Sequence, residues 1–411
     1  MNKIIKFLLS FGPGIFAIGY TIGTGSVTSM IVAGNNFGMD LLWVLFLSCL
    51  FSGVLIFVSG SYYLHTRETI LHAVKKHLPW GKYLAIGIII SVGIGQWNSL
   101  IGILGITSNL IFEILSLNFP SLENYKYVTV LSIAVFIIGV FYALLIQGNY
   151  SIFEKILAIF VTFMGLSFVF TLLFVHPLPI EVVKGLVPSI PKVDNSGILI
   201  AAFVGTTMAA ATFLSRPLFI QGKGWQKADS NIQRNDSIVA ALLIFFISGS
   251  IMAVASGSLY GKGYSITHVL DMSKALEPAV GSFAVVIFFV GALSAGLSSI
   301  FPCLMIVPLM IGDYKSGRLD VQSNTFKYIT GVASLFALTV PLFGFNPIKG
   351  QIITQAFNVI ALPLVIGCII ALYNRKNLGL PSKKGVLNSI LFIAMLFSLI
   401  IMTNGIKDML S

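Results

Sequence analysis

Apolar stretches long enough to cross a bilayer follow one another from the first tens of residues of this chain to its last, and no other feature restricts the fold as much. A helix needs about 20 consecutive apolar residues to span roughly 30 Å of hydrocarbon. Such runs fall at 11–34, 41–63, 83–114, 126–146, 153–175, 196–221, 237–260, 279–311, 326–344, 351–373 and 388–404. They are continuously apolar and about twice the length of the alternating strands of a membrane barrel, so the spans are expected to be helices. Only 9% of the residues are charged and 56% are hydrophobic, against roughly 25% charged in an average soluble domain. The first run opens on Gly12-Pro13-Gly14, and no small-residue cleavage site precedes a soluble domain, so it is expected to stay in the protein as a span.

Lysine and arginine set the expected orientation. Assigning alternate loops to one side gathers Lys3, Lys6, Arg67, Lys75, Lys76, Lys82, Lys155, Lys223, Lys227, Arg234, Lys315, Arg318, Lys327, Arg375, Lys376, Lys383 and Lys384 there, with Arg216 at that end of its span. The opposite side holds Lys126, Lys184, Lys192, Lys262, Lys274, Lys349 and Lys407. The positive-inside rule then puts the N-terminus in the cytoplasm and, with an odd number of spans, the C-terminus outside the inner (plasma) membrane. The net charge of +11 is thereby accounted for by topology. A lipid bilayer is the expected partner, and no nucleic acid is, because no basic stripe is interleaved with aromatic residues. Cys49, Cys303 and Cys368 lie in separate apolar runs without metal-ligand spacing and read as small buried hydrophobes. His65, His72, His77, His176 and His268 sit in loops or near span ends, none placed as a catalytic base.

No linker or hydrophilic insertion divides the chain, so residues 1–411 read as one transmembrane domain. Two places within it are poorly suited to a continuous helix. The first run carries Tyr20-Thr21-Ile22-Gly23-Thr24-Gly25-Ser26-Val27-Thr28 at mid-membrane, and the sixth carries Phe203-Val204-Gly205-Thr206-Thr207-Met208-Ala209-Ala210-Ala211-Thr212. Glycine costs a helix interior about 1 kcal/mol relative to alanine. Two such clusters, each in the first helix of a set of five, point to an inverted repeat with discontinuous helices around a central site. Repeat one covers about 11–175, repeat two about 196–373, and the extra helix about 388–404. Unwound backbone facing lipid would cost several kcal/mol per peptide group, so these segments are expected to line a cavity. The simpler reading is that the glycines only let helices pack closely.

Gly12-Pro13-Gly14, Ala33-Gly34, Phe37-Gly38 and Leu41-Leu42-Trp43, then the small-residue stretch Gly291–Ser299, then Thr354-Gln355 with Leu362-Pro363-Leu364, resemble the NRAMP family of proton-coupled divalent metal transporters. The resemblance runs over nearly the whole chain and implies an all-α integral membrane protein of the LeuT-type fold, an inverted 5+5 repeat plus one extra helix. It also implies a metal site, and there this sequence departs from the pattern. The family's Asp-Pro-Gly-Asn falls on Gly23, Thr24, Gly25 and Ser26; its Met-Pro-His falls on Ala209, Ala210 and Ala211, with Met208 one residue early. The acidic pair on its proton route falls on Gln96 and Ser99. No carboxylate is expected near mid-membrane, so proton coupling of the family's kind is expected to be absent.

The altered site suggests a secondary transporter with a different cargo. A second half-helix starting at Gly23-Thr24-Gly25 presents unpaired amides and a positive dipole end, which suits an anion. Thr24, Ser26, Thr206 and Thr207 add hydroxyls, and Met208 and Ala209 sit at the second break. Gln96, Asn98 and Ser99 of span three, with Gln355 and Asn358 of span ten, supply neutral polar groups that either read a substrate or bond helix to helix. Arg216 either grips a substrate carboxylate or snorkels to the cytoplasmic surface. Ser298 and Ser299 are candidate sodium ligands; no other metal site and no cofactor is expected, and the coupling ion is sodium or a proton. The first expectation is a carrier of a small, amino-acid-like carboxylate. The alternative keeps the family's role, a divalent cation such as magnesium or manganese carried with much of its water, since magnesium dehydrates reluctantly. An enzyme is not expected, because no nucleophile–base constellation stands out, and a sensor would need a soluble domain that the chain lacks. Nothing in the sequence sets an oligomeric state.

Overall fold

Backbone amides find no water in hydrocarbon, so a chain that crosses it repeatedly must satisfy them within helices; the described residues form helices and no strand. The computed structural model describes residues 12–148, 150–189, 196–263, 266, 269–343, 347–375 and 384–410. Lys3, Lys6, Lys192, His268, Lys376 and Lys383 lie outside them, as do the run ends at 11 and 344 and the side chains of Lys274, Lys349 and Lys384.

The first span is two helices, α1 (Gly12–Thr21) and α2 (Thr24–Phe37), bent by 53° at their junction. Span two is α3 (Leu42–Thr66), followed by the short α4 (Ile70–His77). Spans three to five are α5 (Gly81–Asn118), α6 (Lys126–Ile146) and α7 (Tyr150–Leu172), and a short α8 (Pro179–Gly185) follows. The sixth span is again in two pieces, α9 (Ser196–Thr207) and α10 (Ala210–Lys223). Spans seven and eight are α11 (Ser230–Leu259) and α12 (Val269–Ser316). Span nine joins α13 (Asn324–Ala337) to α14 (Thr339–Phe343), span ten joins α15 (Pro347–Asn358) to α16 (Leu362–Tyr373), and α17 (Lys384–Leu410) ends the chain. Ten helices among the described residues are long and apolar enough to cross a membrane, or eleven with the bent α1–α2 pair counted as one span.

The expected apolar runs map onto these elements in order; span nine is divided near Leu338, and spans seven and ten differ in ways that bear on the site. Span ten was read as continuous over 351–373, but it turns at 359–361, where tight bonds such as Val359 N to the Ala356 carbonyl replace the helical ladder. Pro363 sits in the first turn of α16, where its missing amide costs no helical bond. Span seven was expected to start at 237, but its helix begins at Ser230 and carries Asp236 into the protein interior.

The main apolar cluster runs through every span, and Tyr63, Leu64 and Ile220 form a smaller one beside Trp225. The spans α9 and α10 are buried along almost their whole length, whereas α6, α7 and α17 turn bare apolar side chains such as Phe136, Leu166 and Phe392 outward, as a lipid-facing surface requires.

Two anchors meet in the loop after span two. Arg67 ends α3 in the left-handed region (φ 60°) and donates from Nη1 to the Trp225 carbonyl at 2.8 Å. Two residues on, the buried Asp313 carboxylate of α12 accepts from the Thr69 hydroxyl and from the first amides of α4, Leu71 N (3.2 Å) and His72 N (3.3 Å). A carboxylate there satisfies donors that a helix start leaves open.

Candidate functional site: a cavity between two broken helices

The interruptions fall where the glycine and threonine clusters predict them. α1 closes with Ile22 N on the Ile18 carbonyl (2.9 Å), Gly23 is extended, and α2 opens with Val27 N on the Gly23 carbonyl (3.0 Å). In the sixth span Met208 N bonds the Val204 carbonyl (2.7 Å), Ala209 is extended, and Thr212 N returns to the Ala209 carbonyl (3.0 Å). Gly23 has φ −103°, which any residue adopts, so glycine is required there for space. A Cβ would lie 2.4 Å from Ser299 Oγ. Gly205 is tighter still, its missing Cβ occupied by the Gln355 carbonyl oxygen at 1.9 Å. The breaks and the close packing offered as rival readings of these glycines therefore occur together.

Hydroxyls satisfy the carbonyl ends of the first half-helices. Thr206 Oγ1 donates to the Thr21 carbonyl (2.9 Å), Ser299 Oγ to the Gly19 carbonyl (2.7 Å), and Ser52 Oγ to the Thr207 carbonyl (2.7 Å). The N-terminal ends of the second half-helices are left bare: neither Gly23 nor Ala209 supplies a side-chain cap. Four half-helix ends thus converge, two carbonyl-rich and two amide-rich.

Between them lies a small cavity with room for about one water molecule. Its wall includes Tyr20, Gly23, Gly25, Ser26, Gln96, Ser99, Thr206, Ala209, Gln355 and Asn358, with Ile103 and Cys303. An amide chain ties spans three and ten across it: Gln96 Nε2 to Asn358 Oδ1 (3.4 Å), Asn358 Nδ2 to Gln355 Oε1 (2.9 Å), and Gln355 Nε2 to Ser99 Oγ (2.9 Å). Interhelical bonding and cavity lining are therefore done by the same groups. No three His, Cys, Asp or Glu side chains cluster for a metal ion among the described residues.

Several expected site residues lie elsewhere. Thr24 is buried away from the cavity, its methyl packed toward Gly296 of α12. Thr207 turns its hydroxyl back to the Phe203 carbonyl (2.9 Å), and Met208 is fully buried outside the cavity wall. Asn98 is exposed on the far face of α5, bonded to the Ile94 carbonyl (2.9 Å); two residues turn a helix by about 200°, so Gln96 and Asn98 cannot share a face. Ser298 and Ser299 meet the Gly19 carbonyl behind α1 rather than the cavity. Tyr20, Ile103 and Cys303 also line the wall, although none of them is an expected site residue and Cys303 reads from the sequence as a small buried hydrophobe.

Arg216 is corrected most. It neither faces the cavity nor reaches solvent: its Nη1 lies 2.6 Å from Asp236 Oδ2, both side chains 1% exposed. Nη2 also donates to the Gln233 carbonyl (3.4 Å) and the Ser237 hydroxyl (3.3 Å). A second pair, Glu154 of α7 with Lys223 of α10 at 2.6 Å, lies at the same end. Both press on the start of α1, where a Cβ on Gly12 would meet the Lys223 side chain at 2.0 Å and one on Gly14 would meet Asp236 at 2.6 Å. Asp236, Glu154 and Asp313 are buried and bonded toward the ends of their helices, away from the mid-membrane breaks where no carboxylate is expected.

Comparison with known proteins agrees with this architecture. A divalent metal cation transporter of Klebsiella pneumoniae subsp. pneumoniae, MntH, is 26% identical over 390 residues, 90% of this chain and 87% of the relative. Among solved structures, a variant of the Eremococcus coleocola manganese transporter superposes with TM-score 0.73 at 16% identity, covering 97% of this chain and 87% of that one. MhsT in complex with L-phenylalanine superposes with TM-score 0.62 at 15% identity over 96% and 98%. These likenesses establish the LeuT-type fold. The family model for natural resistance-associated macrophage protein-like proteins matches residues 14–407, and the chain, a multi-pass membrane transporter rather than an enzyme, belongs to the Nramp family.

Proposed function

We propose that this chain carries a divalent metal cation by alternating access, the cavity between the broken helices widening as the transporter opens to take the ion with part of its water shell. The observation that carries this reading is family membership over 14–407, with relatives named as divalent metal cation transporters. None of the comparisons supports an organic anion as cargo. The wall supports the reading in its own way: amide oxygens of Gln96, Gln355 and Asn358 and hydroxyls of Ser26, Ser99 and Thr206 are hard, neutral donors. Such a set is too weak to strip a dication, but it can hydrogen-bond the water around one, which favours magnesium, the ion most reluctant to dehydrate, over manganese. Ser298 and Ser299 direct their protons to carbonyls of Ala295 and Gly19. Their lone pairs stay available, which supports sodium as a coupling ion. The lysine and arginine excess supports a cytoplasmic Gly12 end in a plasma membrane.

A second reading rests on one observation. The uncapped amide ends of α2 and α10 suit a carboxylate, as expected for a small organic anion. Uptake into proteoliposomes separates the two. Saturable magnesium or manganese uptake, steepened by an imposed sodium gradient, is the expected outcome, and Gly23→Leu should reduce it to background while the protein keeps its helical circular dichroism. Absence of cation uptake, together with a carboxylate-dependent rise in Tm, would transfer the function to the second reading.

A further inference from the structure

A second hollow shares no lining residue with the cavity just described. It lies on the outer surface between α3 and α11 and holds about 920 Å³ of empty space, its open side included. Small residues make its floor: a Cβ on Gly53 would sit 2.7 Å from that of Ala241, so the two helices nearly touch there. Phe46 and Phe245, rings 5.9 Å apart and edge to face, close one end, and Phe57 and Arg234 stand at the other. From Phe46 to Phe57 the groove runs roughly 17 Å along α3, about the hydrocarbon depth of one leaflet, half of the roughly 30 Å core. Everything along it is apolar except Arg234, which is exposed one turn into α11 and makes no ion pair among the described residues.

We propose that this groove is a binding site for one anionic phospholipid, with an acyl chain lying between α3 and α11 and the phosphate on the Arg234 guanidinium. An apolar slot of leaflet length ending in one cation matches a lipid of that charge: the slot seats the tail without selecting a headgroup, and Arg234 selects the negative one. Guanidinium suits phosphate because its planar fork donates two parallel hydrogen bonds. A basic residue at the membrane surface gives anionic lipid an advantage of about fivefold.

Native mass spectrometry of the full chain, with phosphatidylglycerol and phosphatidylcholine titrated in parallel, tests this. The wild type should retain phosphatidylglycerol about fivefold more tightly, Arg234→Gln should erase that difference, and Leu50→Trp should weaken both lipids by filling the groove at a position already 45% exposed. Inorganic phosphate at equal concentration should leave the Tm unmoved. Equal retention of the two lipids by the wild type, an unchanged preference in Arg234→Gln, a phosphate shift as large as the lipid's, or a lipid-free pair of chains covering the face would each overturn the assignment. Arg234 lies on the surface, so its variant should fold even if the tryptophan variant does not.

Discussion

The wall of the central cavity is neutral, whereas about two turns along α10 the protein is densely charged. Around the cavity the polar groups are amides and hydroxyls bonded to one another across spans three and ten. At the Gly12 end, Arg216–Asp236 and Glu154–Lys223 clasp the start of α1. Charges in a low-dielectric interior are tolerable only when paired. The contrast teaches that clasping α1 and lining the cavity are given to different chemistries: full charges do the first, and neutral amides and hydroxyls the second.

The largest expected effect tests the charged end. Arg216→Ala leaves Asp236 buried and unpaired and should destabilise the protein by about 3–5 kcal/mol, while the double variant Arg216→Met with Asp236→Leu should recover most of it. Thermal denaturation in detergent reads both. Loss of cargo binding without loss of stability in Arg216→Ala would erase the contrast, because the arginine would then act on the cargo. Next comes the amide chain. Asn358→Leu unpairs Gln96 and Gln355 together and should cost about 1–3 kcal/mol, with cargo affinity lowered about tenfold by titration calorimetry; unchanged affinity would make the chain purely structural. The smallest effect is expected for Thr206→Val, which loses one neutral bond to the Thr21 carbonyl. Net loss should be about 1 kcal/mol, and a larger one would show that the two half-helices depend on that bond to stay apposed.

What could be read from the sequence followed from physics that leaves a compositional trace. Span length is set by bilayer thickness, so the spans are visible as apolar runs, and the break at Gly23 is visible because glycine and hydroxyl clusters recur at matching places in the two halves. Asp236 was missed because it precedes the apolar run of span seven by one residue, and hydropathy reports where apolar residues begin rather than where a helix does. With its partner unseen, Arg216 looked like a free cation. Cys303 was missed for a different reason: α12 is apolar on all sides near it and buried, so no periodicity marks the face toward the cavity. The spacing of Gln96 and Asn98, by contrast, was enough to forbid both from facing inward.

The loop after span two carries a mechanical consequence. Arg67 is fastened to the turn between spans six and seven, and Thr69 is fastened to span eight through Asp313. Glu68 alone separates these moorings, with its own carboxylate held by Lys76 and His77 of α4. Any displacement of the body containing spans two, six and seven against the one containing span eight must therefore be taken up, on this strand of chain, by the torsions of a single residue.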